Sequence, residues 1–409
     1  MDIFEDREVE FMIKNCELLA PAGTPESLQT ALHFGADAVY LGGPMLQLRA
    51  ESAGFTFEQL QQAAQDVHSK GKRMYVTVNC FAENGEIDVL AEYGKNLLAA
   101  GADAAIVSDL GVLAELHEKV PELELHVSTQ ANCVNWKAAE TWHKMGAKRV
   151  VLGREMRLDD IKKLRDKTPD TLEIEAFVHG AMCMAYSGRC LLSSYISHRS
   201  GNRGDCTQPC RWNYYLVEEK RPDMYLPVIE DAGATAVLSS ADMKCIDFLD
   251  KIADAGVTSF KIEGRMKTAY YVATVVNAYR HAMDGTAPLE VCENELLCAS
   301  HRPFDTGFYF GNVAKDPNND GLYRSTCQFV GRVLEATDTD ILIEQRNRFD
   351  VGDTLEILSP DSLGASFVVT QITDMKGNAR DSAHLVQEKL RLACPYKLKT
   401  GDILRKRIK

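Results

Sequence analysis

The chain has 409 residues and a formal net charge of −13, with 26% charged and 45% hydrophobic residues. That balance belongs to folded globular chains and excludes disorder, and the length implies one large domain with a smaller one beside it. Twelve cysteines are too thin a scatter for a disulfide scaffold, and an acidic body excludes a protein that simply coats nucleic acid.

The opening run MDIFEDREVEFMIKN is acidic and lacks a cationic region followed by an apolar one, so no signal peptide is expected. The apolar stretch Leu97–Leu116 is broken by Asp103, Asp109 and Glu115, so no membrane span is expected. The reading is a cytoplasmic protein.

From the N-terminus, one unit repeats through about 285 residues: apolar strand, turn, helix, glycine. CELLAPAG (16–23) leads into a helix with Thr24 as cap, Pro25 at its first position and Gly35 past its end. Further strands are predicted at 36–43, 73–81, 103–109, 123–129, 149–153, 172–180 and 258–264, all apolar and β-branched as strands buried on both faces are. Gly35, Gly71, Gly101, Gly146 and Gly256 each precede a strand, where a helix end takes a left-handed residue. Eight such units predict an α/β fold, a TIM-like (β/α)8 barrel over residues 1–290. An open doubly wound sheet is the alternative, but no GxGxxG follows the first strand.

Residues 181–240 form a long insertion between strand seven and a helix predicted near 242–255. In such barrels the strand C-termini carry the active site, so this insertion covers the mouth. After a connector at 291–324, short strands separated by turn residues predict a small antiparallel β-barrel at 325–409, a candidate RNA contact. This last segment carries 13 Lys and Arg against 12 Asp and Glu, whereas residues 1–324 carry 33 against 47. His198, Arg199, Arg203, Arg211, Lys220 and Arg221 surround the insertion's cysteines, either as a solvated face or as a local RNA-docking face.

Those cysteines are the strongest chemical signal. Cys183, Cys190, Cys206 and Cys210 fall within 28 residues, with six, fifteen and three residues between them. In a reducing compartment such a cluster points to a metal or an iron–sulfur group. Zinc sites commonly use two close pairs, and only Cys206 and Cys210 make one; a [4Fe–4S] cluster tolerates varied spacing. Buried unligated thiols are the third reading, and Cys245 is a reserve ligand should Cys210 prove remote. His179, four residues before Cys183, could instead activate it as a nucleophile, although the other three cysteines would then go unexplained. No HExxH or GxSxG supports other hydrolase chemistry.

Alternation places Glu175, Phe177 and His179 on one face of strand seven, and Lys261, Glu263 and Arg265 on one face of strand eight. If Glu175 faces the barrel interior, burial should raise its proton affinity. Glu175 and His179 are candidate catalytic groups. Lys261, Glu263 and Arg265 form either an anion-binding set or a buried ion-pair ladder.

ELLAPAG (17–23), EAFVHGAMCMAYSGRCLLSS (175–194), CTQPCRW (206–212) and SFKIEGRMKTAYYVATVVNAYR (259–280) resemble the collagenase-like peptidase family U32 over nearly the whole chain. Glu175, Phe177, Gly180, Cys183, Gly188, Cys190 and Ser193 meet its signature. The resemblance implies a protease or, for other branches, an oxygen-independent hydroxylase bearing a four-cysteine [4Fe–4S] cluster. Such branches act on tRNA wobble uridine with prephenate, on ribosomal RNA, or in ubiquinone synthesis. KRPDMYLPVIED (220–231), FKIEGRMK (260–267) and the single appended barrel are most similar to the tRNA branch, whereas ADMKC (241–245) departs from the pattern by one position.

Carried over, Cys183, Cys190, Cys206 and Cys210 hold the cluster. A dicarboxylate co-substrate such as prephenate needs cationic clamps, for which Arg203, Arg211, Lys261 and Arg265 are candidates, and Phe177, Tyr186 and Trp212 are candidate stacking platforms for a flipped base of the tRNA anticodon loop. The expected function is oxygen-independent hydroxylation of tRNA wobble uridine to 5-hydroxyuridine. Its rivals are a collagenase-like protease, a ribosomal RNA hydroxylase, and a non-catalytic iron–sulfur assembly partner of a paralogue. A homo-oligomer is also compatible with the sequence.

Overall fold

The computed structural model describes residues 13, 15–48, 54–182, 188, 190–212, 215–218, 221–227, 241–311 and 323–408. They divide into two compact units. One takes in the described residues of 1–28, 37–266 and 302–323; the other takes in 29–36, 267–301 and 324–409.

The first unit is the expected barrel. Strands β1 (Glu17–Pro21), β2 (Ala38–Gly42), β3 (Arg73–Val78), β4 (Ala104–Val107), β5 (Glu124–Val127), β6 (Arg149–Val151) and β7 (Glu173–Ala181) pair in parallel in chain order. The ring closes where Ser259–Ile262 pairs in parallel with both β1 and β7. The outward residues Leu18, Val39, Val76, Ala105, Val150, Ile174 and Phe260 are fully buried, as strands covered on both faces require. Each such aliphatic side chain contributes about 1.5–3 kcal/mol through burial.

The helices follow from their caps. α1 (Pro25–His33) begins after Thr24, whose Oγ1 accepts the Ser27 N–H at 3.1 Å. α2 (Phe57–His68) opens on a capping box between Thr56 and Gln59. α3 (Asn84–Ile87) and α4 (Leu90–Ala99) follow β3. α5 (Leu110–Lys119) is capped by Asp109, which accepts from Gly111 and Val112 N–H, so this mouth carboxylate is occupied structurally. α6 (Trp136–Lys144) is capped by Asn135, and α7 (Leu158–Asp166) completes the series before β7.

The insertion holds a short helix α8 (Leu192–Ser197), two single-turn 3₁₀ segments, and a hairpin of β8 (Tyr215–Glu218) with β9 (Arg221–Pro227). Residues 242–244 differ from the predicted helix. They form β10 (Asp242–Lys244), antiparallel to the end of β7, and only Leu249–Asp254 is helical (α9). Tertiary pairing overrides local propensity here, because β7 runs past the barrel and offers Gly180 and Ala181 as a free edge. β11 (Ser259–Ile262) is the eighth barrel strand, and β12 (Phe304–Asp305) pairs with β10.

The second unit contains helices α10 (Ala269–Asp284) and α11 (Leu289–Leu296) and the C-terminal β-structure. Its strands are β13 (Cys327–Ala336), β14 (Asp340–Gln345), β15 (Phe349–Asp350), β16 (Thr354–Ser359), β17 (Ser362–Val368), β18 (Ile372–Asp374), β19 (Ala379–Arg380), β20 (Ser382–Ala383), β21 (Lys389–Ala393) and β22 (Ile403–Arg407). Eight of them form one antiparallel sheet in the order β17-β16-β22-β13-β14-β21-β18-β19, while β15 pairs with β20. Val330, Ile341, Ile343, Phe349, Leu355, Leu390 and Leu404 fill its core. No helix among the described residues is long and apolar enough to cross a membrane.

Candidate active site

Interiors of such barrels are ordinarily filled by branched apolar side chains. Here Leu19, Ala38, Tyr40, Tyr75, Ala104 and Ile106 supply only part of the filling. The rest is ionic. Arg149, at the start of β6, donates to Glu17 at 2.5 Å, to Glu173 at 2.8 Å and to Glu175 at 2.9 Å. Tyr75 donates its hydroxyl to Glu17 at 2.5 Å. Burial works against the Arg149 charge, but Glu17 and Glu175 more than offset it and raise its pKa.

Glu175 is wholly buried and also accepts from Lys261 Nζ at 2.6 Å and Ser259 Oγ at 3.2 Å. Burial disfavours its charge, yet the Lys261 and Arg149 cations outweigh burial and pull its pKa down to about 2. The expected rise in proton affinity is therefore overturned. A buried carboxylate between two cations stays ionised. Beside this group His126, also buried, is held neutral mainly by burial and bonds Glu124 at 2.9 Å.

Towards the mouth, Lys261 Nζ lies 4.4 Å from the centre of the Tyr40 ring and 5.6 Å from that of Phe177. Arg154 also lies over Phe177, its guanidinium 3.9 Å from the ring centre. Arg154 donates to the Ala181 carbonyl at 2.6 Å and to Glu263 at 3.3 Å. Phe177, expected as a stacking platform, is 4% exposed with Arg154 over its ring, so it is unsuited to receive a base.

Arg265 lies beyond the end of β11 and crosses the mouth to Thr77 Oγ1 on β3, at 2.7 Å. A side chain on Gly23 would come within 1.9 Å of the Arg265 carbonyl, so only glycine lets the first strand's exit pass beneath it. His179 is buried at the far end of β7, its ring 5.6 Å from Phe304. The register slips between Lys261 and Ile262 opposite this stretch, a bulge that re-aims the strand end.

A cavity of about 280 Å³ opens beside β2 and β3, with Gln47, Phe55, Cys80, Glu86 and Arg203 in its lining. Arg203 comes from the cysteine-bearing insertion. It donates to Glu86 at 2.9 Å and to the Phe81 carbonyl at 2.6 Å. Its charge is thus met by the barrel, and it fastens the insertion to the β3 exit.

Cys190, Cys206 and Cys210 are half-buried in that insertion, while Cys183 and Tyr186 lie outside the described residues. Arg211 ends the 3₁₀ turn Pro209–Arg211, and its side chain is outside the described part. The Gln208 N–H points to Cys206 Sγ at 3.4 Å, as backbone donors do towards thiolates that ligate metal or clusters. Ser193, Ser197 and Thr207 share hydroxyl contacts of 2.7 to 3.4 Å, which tie α8 to the Cys206 loop. Among the described residues, no three His, Cys, Asp or Glu side chains are gathered as a metal site. Cysteine thiols are donors that iron–sulfur groups and zinc both take, and the described ones here, Cys190, Cys206 and Cys210, come from one segment. Cys245 is fully buried at the end of β10, and burial pushes its thiol well up, which disfavours a ligand thiolate.

Sequence reasoning missed Arg149, which bonds Glu175, and Glu17, which shares Arg149 with it. A charge at the first position of RVVLG, an otherwise apolar strand, was the available signal. It also missed Tyr195, 79% exposed on α8; Trp212, which it named, is 42% exposed.

The model of peptidase family U32 matches residues 23–319, and that of the family's C-terminal domain matches residues 325–405. tRNA hydroxylation protein P of Escherichia coli (strain K12) is 36% identical over 410 residues, covering 89% of this chain and 90% of that one. tRNA hydroxylation protein P1 of Bacillus subtilis (strain 168) is 37% identical over 405 residues, covering 96% and 95%. A protein named collagenase from Porphyromonas gingivalis is 35% identical over 316 residues, covering 73% and 74%. The matches take in the barrel from just after β1, the cysteine-bearing insertion, and the C-terminal sheet as far as residue 405, and the chain belongs to peptidase family U32.

Proposed function

We propose that this protein is a tRNA-modifying enzyme that hydroxylates the wobble uridine to 5-hydroxyuridine without molecular oxygen, using prephenate and a [4Fe–4S] cluster. The observation that carries the reading is the similarity, over about nine-tenths or more of both chains, to two proteins named for tRNA hydroxylation. In this reading Cys183, Cys190, Cys206 and Cys210 hold the cluster, which supplies the redox chemistry that side chains cannot.

The chain's own residues do the rest. Glu175 fixes the Lys261 ammonium at 2.6 Å, and an ammonium held by one acceptor keeps further N–H donors for an anion. Lys261 and the Arg265 fork bind the carboxylates of the co-substrate, and Glu263 orients Arg154 over Phe177. Arg203 is assigned to holding the insertion, since Glu86 already meets its charge. Tyr195 and Trp212, exposed on the cysteine-bearing segment, stack on unpaired anticodon-loop bases.

The test is anaerobic purification with iron, sulfide and absorption measurements, followed by incubation with unmodified tRNA and prephenate and nucleoside mass spectrometry. Cys206→Ala should lose both the cluster and the product. Full activity in that variant, or stoichiometric zinc in the wild type, overturns the reading. The relative named collagenase favours a second reading, a protease, which predicts gelatin cleavage by colourless protein. Activity on ribosomal RNA alone, or only after a paralogue is added, would move the assignment to the other two rivals.

A further inference from the structure

In the second unit two thiols that are not part of the cysteine-bearing insertion meet. Cys298 follows α11, and Cys327 opens β13, 29 positions further along the chain. Cys327 donates its S–H to Cys298 Sγ at a sulfur–sulfur distance of 2.9 Å, and the two residues are 0% and 4% exposed.

Local bonding holds them in register. Ser325 Oγ bonds both the Cys298 carbonyl at 2.8 Å and the Cys327 carbonyl at 2.7 Å. The Thr326 N–H reaches the Leu297 carbonyl at 3.0 Å, and Thr326 Oγ1 points to Cys298 Sγ at 3.6 Å. The two backbones are thus lashed together on each side of the sulfurs. A disulfide needs about 2.05 Å, so closing the bond takes a shift of under about 1 Å.

The electrostatics divide the labour. Donation from Cys327, helped by the buried Arg405 cation and opposed by burial, lowers the Cys298 pKa to about 7, while Cys327 is pushed up. The proton shared between the two sulfurs at 2.9 Å favours a thiolate on Cys298, the acceptor of the bond.

We propose that Cys298 and Cys327 form a redox-responsive disulfide that clamps the first strand of the C-terminal sheet to the end of α11. With hydrogen peroxide as oxidant, the Cys298 thiolate attacks one peroxide oxygen and becomes a sulfenic acid, and the other oxygen leaves as hydroxide and takes up a proton as water. The Cys327 sulfur then attacks the sulfenic sulfur, loses its proton and expels a second water. The two sulfurs give up two electrons, which the peroxide accepts. Between the two cysteines the chain passes through 302–323, whose described residues group with the barrel, so the bond links the chain on either side of that stretch.

The test uses the full-length protein, reduced without air, then treated with hydrogen peroxide, alkylated under denaturing conditions, and mapped by peptide mass spectrometry. A linked peptide pair carrying Cys298 and Cys327, two hydrogens lighter and released by dithiothreitol, is expected. In Cys327→Ser the Cys298 sulfenic acid should instead be trapped by dimedone. If both wild-type thiols alkylate to the same yield before and after peroxide, the proposal fails. That result needs no tRNA and no cluster, so it is independent of the hydroxylase reading.

Discussion

Lys261 Nζ lies 2.6 Å from Glu175 Oε1 at the centre of the barrel, with side-chain exposures of 6% and 0%. Breaking a pair so placed leaves one buried charge short of a partner, which typically costs about 3–5 kcal/mol. Lys261→Met should lose about that much in urea unfolding, and the double variant Lys261→Met with Glu175→Leu should recover part of it. The recovery is limited because Arg149 then loses one of its carboxylates. A single variant within about 1 kcal/mol of wild type would show that the pair is idle.

The same carboxylate sets an acid limit. Its pKa falls from 4.5 to about 2 in the folded protein. A depressed carboxylate adds stability that is fully present above its unfolded value and is lost as pH falls through the folded one. The window is therefore from about 4.5 down to about 2, and the size is on the order of 3 kcal/mol. Glu175→Gln should be less stable than wild type near neutral pH, and the gap should shrink as the solution is acidified through that window. A gap that is constant with pH contradicts the assignment.

Gly188 ties the cysteine-bearing segment to the barrel. Its φ is +72°, and a side chain there would come within 2.0 Å of the Gln130 carbonyl after β5. Gly188→Ala must therefore push the segment off the mouth. If the proposed cluster forms, iron and sulfide content should fall several-fold, while the barrel's unfolding midpoint changes little. Wild-type iron content in this variant would separate the loop's seat from cluster binding.

Arg265 reaches across the barrel mouth to Thr77 Oγ1 at 2.7 Å. If it clamps a carboxylate, Arg265→Ala should raise the KM for prephenate by about 10- to 100-fold, the scale of one lost charge-assisted hydrogen bond. The KM for tRNA should hold. A fall in kcat with unchanged KM would instead assign Arg265 to shaping the mouth.

The barrel was legible because the outward faces of its strands are apolar and its helices carry ordinary caps: Thr24, Asp109 and Asn135 each accept an N–H at a helix start. Its charged floor was not, because Glu17, Arg149 and Glu175 are brought together from strands up to 158 positions apart, and no local pattern records such partners. The direction of the Glu175 shift was misread for that reason. Strand β10 was misread as helix because three residues, Asp242–Lys244, take their conformation from the edge of β7. Arg203 and Arg265 were legible as cations at the mouth, but Glu86 and Thr77, which engage them, were not.

The second unit has a buried ion pair of its own. Arg405 on β22 is wholly buried, bonds Glu295 of α11 in bidentate fashion at 2.7 and 2.5 Å, and reaches Glu356 on β16 at 3.1 Å. Burial opposes its charge, but Glu295 outweighs burial and raises its pKa, so the guanidinium stays charged at any working pH. Arg405→Met should leave Glu295 buried without its fork and cost about 3–5 kcal/mol. Lys in its place keeps the charge but loses the planar fork, so Arg405→Lys should recover only part of the loss. Hydrogen exchange would locate the damage: amides of β13, β16 and β22 should lose protection in Arg405→Met while those of β1 to β7 keep it. Equal loss across both sets would contradict a role for Arg405 confined to the second unit.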